Sequence, residues 1–517
     1  MDKQGPEHIQ GLRRDLRSLY HRVDSWIAAR PLHGASAADG SVVEARLRRA
    51  FHDSSDLTIV KVAVKAGTVR VAYLEGLVDE GRLMREVIHP IEDATQDPYD
   101  LPSAQATRWE GDGAKIAGDM LQGSVTVIPP DIDEVQVLDL SKLPKRAIGE
   151  PETELTLRGP REALSEELTT QIAQIRRRLP ALDLVVLTKS LGSRVPTRIA
   201  MVYRQSLVNP QVTNQVEARL LGLKVDAGLT STQVGSYIRD HPWSIFPTVR
   251  YSERADFITQ QLDFGKLVIL VDGDLFAIAV PATLTDFMAT SEDYLTSWYD
   301  GSFVRGIRLA GMAFGLFLPA LYIALTEVNP DLVSPKLFDL VAGSHTGLPF
   351  TPLVEVVVMI LVIEILREAA LRLPKQLATT LGTVGAIVVG TAVVKAGFVS
   401  SQIIVLMTFT ALSLFTAPTY ELMATWRLVG WALLMAAAAL GLYGVVLVAF
   451  VVSEQLVTLQ SYGTPYLAPI SPFRRNDWMD TLWRAPWHSF RNRPTLGRPR
   501  RVRLTLHDPG GTSDEGS

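Results

Sequence analysis

The sequence predicts an α/β region of two subdomains followed by an all-α polytopic membrane domain. Three observations support this prediction: an uneven distribution of charge, long uncharged apolar runs in the second half, and alternating strand-like and helix-like segments in the first half. Over all 517 residues, 47% are apolar and 21% are charged, as in an ordinary soluble protein. That average combines two unlike parts of the chain.

Charge is concentrated outside the middle of the chain. Residues 1–303 contain 34 Lys/Arg and 42 Asp/Glu, residues 304–453 contain 8 and 7, and residues 454–517 contain 9 and 6. A membrane-spanning helix needs about 20 mostly apolar residues. Four uncharged runs approach or exceed that length, which favours spanning helices over the alternative of buried core helices: residues 309–326, 376–394, 396–420 and 428–453. We therefore predict a membrane domain of four to five helices at residues 304–453.

Composition and motifs also exclude several classes of protein. The chain has no cysteine, so disulfides, thiolate zinc sites, iron–sulfur clusters and cysteine nucleophiles are ruled out. A net charge of −4 gives no basic field for nucleic acid. The nine histidines are scattered without metal-ligand spacing, and no phosphate-binding loop or catalytic motif is present. We predict neither an enzyme nor a bound cofactor or metal.

The predicted α/β region has three parts: a basic leader (1–50), a first subdomain (51–150) and a second subdomain (151–303). Strand-like segments at 57–64 and 68–74 flank a turn at Gly67, and Asp272-Gly-Asp274 predicts a second hairpin. We identify no internal repeat. Because residues 1–30 carry scattered charge and no apolar signal segment, we expect this region on the cytoplasmic side.

One stretch of the membrane domain is unusually polar. Thr351 is suited to cap a helix that starts at Pro352. Four charged side chains fall on one half of that helix and a fifth on the other, namely Glu364, Arg367, Glu368 and Arg372, with Glu355 opposite. Ionisable groups inside a membrane domain mark ion pathways. These five residues are therefore our candidates for a conduit or gate, and Glu364→Gln or Glu368→Gln should change ion permeation. Two alternatives have equal weight: the helix lies at the membrane interface, or its ion pairs only hold neighbouring helices together.

Charge also bears on topology. Arg305 and Arg308 precede the first run, and nine arginines follow the last one, in a Pro/Arg-rich tail at residues 454–517. The positive-inside rule places both flanks in the cytoplasm, which requires an even number of spans. We favour four spans, with the polar helix as an interfacial or re-entrant segment.

An ordered series of motifs along residues 50–490 resembles the A subunit of GerA-family spore germination receptors. The series comprises Phe51-His-Asp-Ser-Ser-Asp56, Glu75-Gly-Leu-Val-Asp79, Glu150-Pro-Glu-Thr-Glu154, Arg158-Gly-Pro-Arg-Glu162, Ile175-Arg-Arg-Arg178, Ser252-Glu-Arg-Ala-Asp256, Ser291-Glu-Asp-Tyr294, Pro319-Ala-Leu-Tyr322, Glu364-Ile-Leu-Arg-Glu-Ala369, Arg372-Leu-Pro374, Gly382-Thr-Val-Gly-Ala-Ile387 and Gly463-Thr-Pro-Tyr-Leu-Ala-Pro469. Ser252 and Ala255 stand where the family usually has Thr and Pro.

The resemblance implies a multi-pass protein of the spore inner membrane that acts in nutrient-triggered germination. It implies two partners, a transporter-like B subunit that binds germinant and a lipoprotein C subunit. It also implies a homo-oligomer, a pentamer in the family, that conducts ions through the lipid bilayer. Two alternatives stay open: a sporulation-stage paralogue acting in ion or dipicolinate release, and a small-solute membrane transporter. The absence of a detected repeat disfavours the transporter.

Overall fold

Two α/β subdomains and a helical region make up the protein. The computed structural model describes residues 40–64, 67–92, 107–109, 113–130, 135–142, 149–156, 158–226, 228–345, 347–372, 395–478, 480–481, 483–486, 489, 493–497 and 499–500.

The first subdomain is a five-stranded antiparallel sheet with helices on both faces. In chain order its elements are α1 (Gly40–Ala50), β1 (Leu57–Val64), β2 (Gly67–Leu74), α2 (Glu80–Leu83), a π-turn (Met84–Ile88), α3 (His89–Glu92), β3 (Thr107–Trp109), α4 (Gly113–Leu121), β4 (Ser124–Ile128) and β5 (Val135–Asp139). Alternate strand residues face opposite sides of the sheet, so α1 and α4 cover one apolar face while α2 and α3 cover the other.

The second subdomain is also a five-stranded antiparallel sheet between helices. Its elements are α5 (Leu168–Arg178), β6 (Leu184–Leu191), β7 (Thr197–Arg204), α6 (Pro210–Leu221), α7 (Ser231–Ile238), β8 (Arg250–Ser252), α8 (Ala255–Asp263), β9 (Leu267–Val271) and β10 (Ala277–Val280). Helices α5 and α8 cover one face, and α6 and α7 cover the other. The hairpin predicted at Asp272-Gly-Asp274 is confirmed, because β9 and β10 pair antiparallel on either side of it.

The two subdomains share one topology, so the prediction that the chain has no internal repeat is wrong. Strand order is β1-β2-β4-β5-β3 in the first sheet and β6-β7-β9-β10-β8 in the second, the same order displaced by five strands. A short sequence signal accompanies it: Tyr73 and Tyr203 each stand four residues before Leu-Val-Asx. In both copies the Asx side chain, Asp79 or Asn209, caps the following helix. The repeat lies in the α/β region, so it does not bear on membrane repeats of the kind that transporters contain.

Two of the motifs meet where the subdomains join. Arg176 of α5 forms a buried bidentate ion pair with Asp56, from Nε to Oδ2 at 2.8 Å and from Nη2 to Oδ1 at 3.0 Å. The Ser54 hydroxyl accepts a hydrogen bond from the backbone N–H of Val186 in β6. Because a buried guanidinium needs a carboxylate in this fixed geometry, these motif residues hold one subdomain against the other.

Two further motifs attach the linker between the subdomains, which includes Thr153 and Glu154, to the second sheet. The Glu253 carboxylate accepts hydrogen bonds from the backbone and hydroxyl of Thr153. The Arg254 guanidinium donates to the carbonyl of Glu154, 3.0 Å away, and to Asp256. The departure from the family pattern at Ala255 is accommodated, since Ala255 simply begins α8.

The helical region begins after two short helices, α9 (Leu284–Met288) and α10 (Ser291–Leu295). Its helices are α11 (Trp298–Ile323, continued by a π-turn at Ala324–Val328), α12 (Pro335–Ser344), α13 (Pro352–Arg372), α14 (Ser401–Leu414), α15 (Tyr420–Leu440) and α16 (Leu442–Thr458). We call the end of these helices next to the α/β region the proximal end, and the opposite end the distal end.

Contacts between the helices fix their directions. Helix α11 begins at the proximal end and reaches the distal end near Asn329, whose side chain accepts a hydrogen bond from the N–H of Leu442. Along α13, Val356 packs in one cluster with Ile323 of α11 and Leu434 of α15, whereas Glu364 contacts Arg427. Helix α13 therefore runs from the distal towards the proximal end, antiparallel to α11 and α15.

This packing corrects the prediction for the polar helix. It begins at Pro352, as predicted, and the N–H of Val354 lies 3.5 Å from the Thr351 hydroxyl. The helix packs lengthwise among α11, α14 and α15, however, and does not lie across their ends as an interfacial segment would. Its 21 residues, at about 1.5 Å each, are as long as a membrane-spanning helix.

The prediction of one span at residues 428–453 is also wrong, because the run contains a break. Helix α15 ends and α16 begins at Gly441, which has φ 63° and ψ −143°. A Cβ at this position would lie 2.0 Å from the Asn329 side chain, so both the backbone conformation and the space require glycine. The chain turns back here, and α16 returns to the proximal end. The predicted span at residues 376–394 lies outside the described residues.

After α16 the chain returns to the second subdomain. The short strands β11 (Gln460–Ser461) and β12 (Thr464–Pro465) form a hairpin. Tyr462 of this hairpin is buried in the core of the second subdomain, and Tyr466 packs between Phe246 and Phe287. Residues 460–469 are thus an ordered segment, and they join the helical region to the α/β region.

Candidate functional site

A cluster of three charged side chains lies between helices of the helical region. Arg427 of α15 donates a hydrogen bond from Nη1 to Glu364 of α13, 2.7 Å away. Arg367, one turn further along α13, contacts the same carboxylate oxygen. We call these three residues the Glu364 cluster.

The Glu364 cluster borders an open cavity between α11, α13, α14 and α15. Glu364 and Arg427 contribute its charged groups, while the remaining lining is apolar or small and is listed here: Gly315, Leu316, Pro319, Ile360, Ile363, Met407, Thr410, Ala411, Leu414, Trp426, Gly430 and Trp431. Mostly apolar walls with a few converging polar groups are typical of binding cavities and of pathways between helices.

Glu355 lies elsewhere, at the distal end. Its side chain is fully buried. One carboxylate oxygen lies 2.9 Å from Nδ1 of His345, and the other accepts a hydrogen bond from the N–H of Ser400 at 2.7 Å. Glu355 thereby ties the start of α13 to the start of α14 and to the end of α12, which is a structural arrangement.

Glu368 and Arg372 form the i, i+4 pair expected from their spacing, with Nε of Arg372 2.9 Å from the Glu368 carboxylate. Both side chains are exposed in the single chain, at 61% and 79%. The five predicted residues therefore occupy three places: the Glu364 cluster, an exposed pair, and a buried distal tie.

Sequence reasoning missed Arg427, His345 and Ser400. Arg427 had a usable signal, because it is the only charged residue from 422 to 453, and an isolated charge in an apolar helix usually has a partner. His345 and Ser400 had none, since they reach Glu355 only through the packing of three helices.

A second charged group, which we call the junction, connects the α/β region to the first long helix. Asp293 accepts from Arg305 at 2.9 Å and from Arg308 at 3.0 Å. Asp480, from the segment after α16, accepts from Arg305 at 3.0 Å and from the Tyr294 hydroxyl at 2.8 Å. The junction thus joins three separate parts of the chain.

Burial and charge act differently on the two junction carboxylates. Burial alone would raise the pKa of Asp293, but the hydrogen bonds and positive charges of Arg308 and Arg305 outweigh it and lower that pKa. Burial raises the pKa of Asp480 above its ordinary value despite the nearby Arg305. Asp293 is therefore the anion on which the junction depends.

Among the described residues, no group of three or more His, Asp or Glu side chains is arranged to hold a metal ion. Within the described ranges, two helices are long and apolar enough to cross a membrane, the 31 residues at Trp298–Val328 and the 21 at Tyr420–Leu440. Two such helices, joined by buried ion pairs to ordered α/β subdomains, are consistent with a membrane-associated protein that has a large folded α/β region.

Comparison with known proteins narrows this class. The family model of the Bacillus/Clostridium GerA spore germination protein matches residues 45–496. The chain therefore belongs to the GerA spore germination protein family, and the resemblance given by its motifs is confirmed.

Curated relatives agree with this assignment. The chain is 32% identical over 458 residues to the spore germination protein GerQA of Bacillus cereus, covering 87% of this chain and 92% of that protein. It is 36% identical over 361 residues to the spore germination protein B1 of Bacillus subtilis, covering 70% and 75%. It is also 31% identical over 435 residues to the uncharacterized membrane protein YfkQ of Bacillus subtilis, covering 82% and 84%.

A solved structure is similar to part of the chain. It is the N-terminal domain of the A subunit of the Bacillus megaterium spore germinant receptor GerK3, at 20% identity and a TM-score of 0.35. The match covers 49% of this chain and 99% of that domain.

Proposed function

We propose that this chain is the membrane subunit of a nutrient-sensing spore germination receptor and forms an oligomeric ion channel that opens when a partner subunit binds germinant. The observation that carries the receptor role is the family match across residues 45–496. The partners implied by the resemblance are a B subunit that binds germinant and a lipoprotein C subunit, with a pentamer of this chain as the conducting assembly.

The directions of the helices support a polytopic arrangement with an even number of crossings. Helices α11, α13, α14, α15 and α16 each run between the proximal and distal ends. Helix α13 heads towards the proximal end, whereas α14 starts at the distal end, where Ser400 contacts Glu355. The predicted span at residues 376–394 connects these two helices and would be the sixth crossing.

An even number of crossings places both arginine-containing flanks of the helical region on the same side of the membrane. Arg305 and Arg484 both lie at the proximal end, where Arg484 donates to the carbonyl of Thr296. Under the positive-inside rule the proximal end faces the cytoplasm. We therefore propose that the α/β region lies on the core side of the spore inner membrane.

The Glu364 cluster supports the position of the conduit. Glu364 joins two helices in a region that is otherwise poor in charge, and charged groups inside a membrane are costly unless they serve a pathway or a fixed pair. We propose Glu364 and Arg367 as the residues that line or gate the conduit. Glu368 and Arg372 would face a neighbouring copy or the aqueous end of the pathway.

The test uses spores in which the gene is deleted and then complemented. We expect the deletion to abolish the response to at least one nutrient germinant, measured as germinant-triggered potassium release. The wild-type chain should restore that release, and Glu364→Gln should restore protein level but alter its rate. Glu454→Gln is the matched control, because Glu454 is exposed near the proximal end of α16 and no side-chain contact involves it among the described residues.

Two outcomes contradict different parts of the proposal. Deletion spores that respond normally to every nutrient used by the parent strain exclude a non-redundant receptor role. Normal potassium release with Glu364→Gln removes Glu364 from the conduit but leaves the receptor role standing. A defect already present in dormant spores, such as low dipicolinate, would favour the sporulation-stage paralogue instead.

A further inference from the structure

Charge is unbalanced in the Glu364 cluster. Arg367 and Arg427 share one carboxylate, so the cluster carries one positive charge more than it neutralises. We propose that the cavity beside it binds one anionic group, a carboxylate or a phosphate, carried on an apolar body. This inference rests on the proposed function in one respect, namely that these helices lie in a bilayer.

The sequence shows that no other acid of the helical region can supply the missing charge. Residues 304–453 contain seven acidic residues, and the segment 373–394 contains none of them. Six lie away from the cluster: Glu327, Asp331, Asp339 and Glu355 at the distal end, Glu368 with Arg372, and Glu421 in the first turn of α15. Among the described residues, Glu364 is the one acid within ion-pair distance of Arg427.

The hydrogen bonds of Arg427 also indicate that an acceptor is missing. In the described part of the chain its guanidinium makes one hydrogen bond, from Nη1 to Glu364, and its buried Nε has no partner. Arg484 of the junction, by contrast, donates to the carbonyls of Asp293, Thr296 and Tyr294. No carbonyl serves Arg427 in this way among the described residues, so an acceptor from outside the chain fits its free donor.

The shape of the cavity defines the rest of the ligand. Apart from Glu364, Arg427 and the Thr410 hydroxyl, the residues that line it are apolar or small. The walls include Ile360, Met407 and Trp431, which suit an aliphatic chain. Gly430 keeps this side open, since a Cβ there would meet its nearest neighbour, Leu316, at 4.0 Å.

Two kinds of molecule combine an anionic group with an apolar body in this way. An anionic phospholipid could insert its phosphate between α13 and α15 from the proximal leaflet, since Arg427 lies only two turns into α15. Alternatively, an amphiphilic carboxylate could enter as a solute. The group recognised is the same in both cases, so the experiment separates them by the probe.

The experiment measures binding to the purified full-length chain in lipid nanodiscs. The first probe is phosphatidylglycerol mixed with phosphatidylcholine, with the lipid retained on the protein counted by native mass spectrometry. The second is isotope-labelled decanoate added to nanodiscs of phosphatidylcholine alone. Retention of phosphatidylglycerol over phosphatidylcholine identifies a lipid, saturable decanoate binding identifies a solute, and either result supports the site.

Variants then assign the binding to the cavity. Arg427→Gln removes the excess charge and should weaken retention about tenfold, as expected for the loss of a charge-assisted hydrogen bond. Glu364→Gln removes the internal competitor and should strengthen it. Gly430→Leu leaves the charges in place but fills the cavity, and should also abolish binding. Arg372→Gln is the matched control, since it removes a cation from the same helix that Glu368 already neutralises.

The opposite directions for Arg427→Gln and Glu364→Gln distinguish the site from misfolding, which would lower binding in both. Binding that is unchanged in Arg427→Gln, or no preference for either anionic probe over phosphatidylcholine, overturns the inference. Because retention is measured without a current, such a failure leaves the receptor and channel proposals untouched.

Discussion

The junction and the Glu364 cluster both combine arginines with acids, yet they differ in the acceptors that the protein supplies to the guanidinium groups. At the junction, Arg305 and Arg308 form ion pairs with Asp293 and Asp480, and the neighbouring Arg484 donates to three backbone carbonyls. In the Glu364 cluster one carboxylate faces two guanidinium groups.

This difference distinguishes the structural role of the junction from the functional role that we propose for the Glu364 cluster. Buried ion pairs that are matched and hydrogen-bonded hold a fixed geometry, and breaking one leaves a costly uncompensated charge. The junction fits that description, because it fastens α11 to both the α/β region and the segment after α16. The Glu364 cluster has two guanidinium groups for one carboxylate and opens onto a cavity, as the anion site that we propose requires.

The largest expected effect comes from breaking the matched site. Arg305→Gln leaves Asp293 and Asp480 short of one positive charge in a buried setting, so we expect a loss of about 3–5 kcal/mol of stability. The measurement is the thermal unfolding midpoint of the detergent-solubilised protein. Arg372→Gln serves as control, since an exposed i, i+4 pair contributes only about 0.3–0.5 kcal/mol. A midpoint for Arg305→Gln equal to that of the control would show that the junction is not structural.

An intermediate effect should appear in the pH dependence of the same site. The pKa of Asp293 is lowered by Arg308 and Arg305 against the effect of burial, so its charged form stabilises the folded protein above the unfolded pKa, about 4. That contribution is lost as the pH falls through the lower folded pKa. The midpoint difference between wild type and Asp293→Asn should therefore stay constant from pH 7 to 5 and shrink below about pH 4.

Asp480, whose pKa is raised by burial, is present in both proteins and largely cancels in this difference. A gap that widens on acidification would mean that Asp293 is protonated in the folded protein, contrary to the lowered pKa.

The smallest effect should come from removing one arginine of the unmatched cluster. Arg367→Gln leaves Glu364 and Arg427 as a one-to-one pair, so we expect stability to change by less than about 1 kcal/mol. The measurement is the same unfolding midpoint, read beside that of Arg305→Gln. A loss as large as at the junction would show that Arg367 is neutralised by a group within the protein, and would erase the contrast between the two sites.

Much of the fold could be predicted from local patterns. The strand at Leu267–Val271 follows from an apolar β-branched run, and the start of α13 at Pro352 follows from Thr351 and the fixed φ of proline. The i, i+4 pair of Glu368 and Arg372 follows from helix geometry alone. These features depend on residues that are neighbours in sequence.

Features that depend on distant residues could not be predicted in the same way. The break at Gly441 depends on Asn329, more than a hundred residues away, which fills the space that a side chain would need. The apolar run itself gave no reason to divide there, since glycine is common in membrane helices. The shared topology of the two α/β subdomains was hidden because the matching positions, such as Tyr73 and Tyr203, are few.

By itself the sequence determined the division into a charged α/β region and an apolar helical region, together with membership of the GerA family. Those properties are encoded in composition, periodicity and ordered motifs, which are local. Only the tertiary structure decided which charged side chains are in contact. Glu355 lies beside His345, and Glu364 accepts a hydrogen bond from Arg427. Glu368 pairs with Arg372 of the same helix. The physical reason is that a buried charge is stabilised by whatever lies within a few ångströms, and helix packing, not sequence spacing, sets those neighbours.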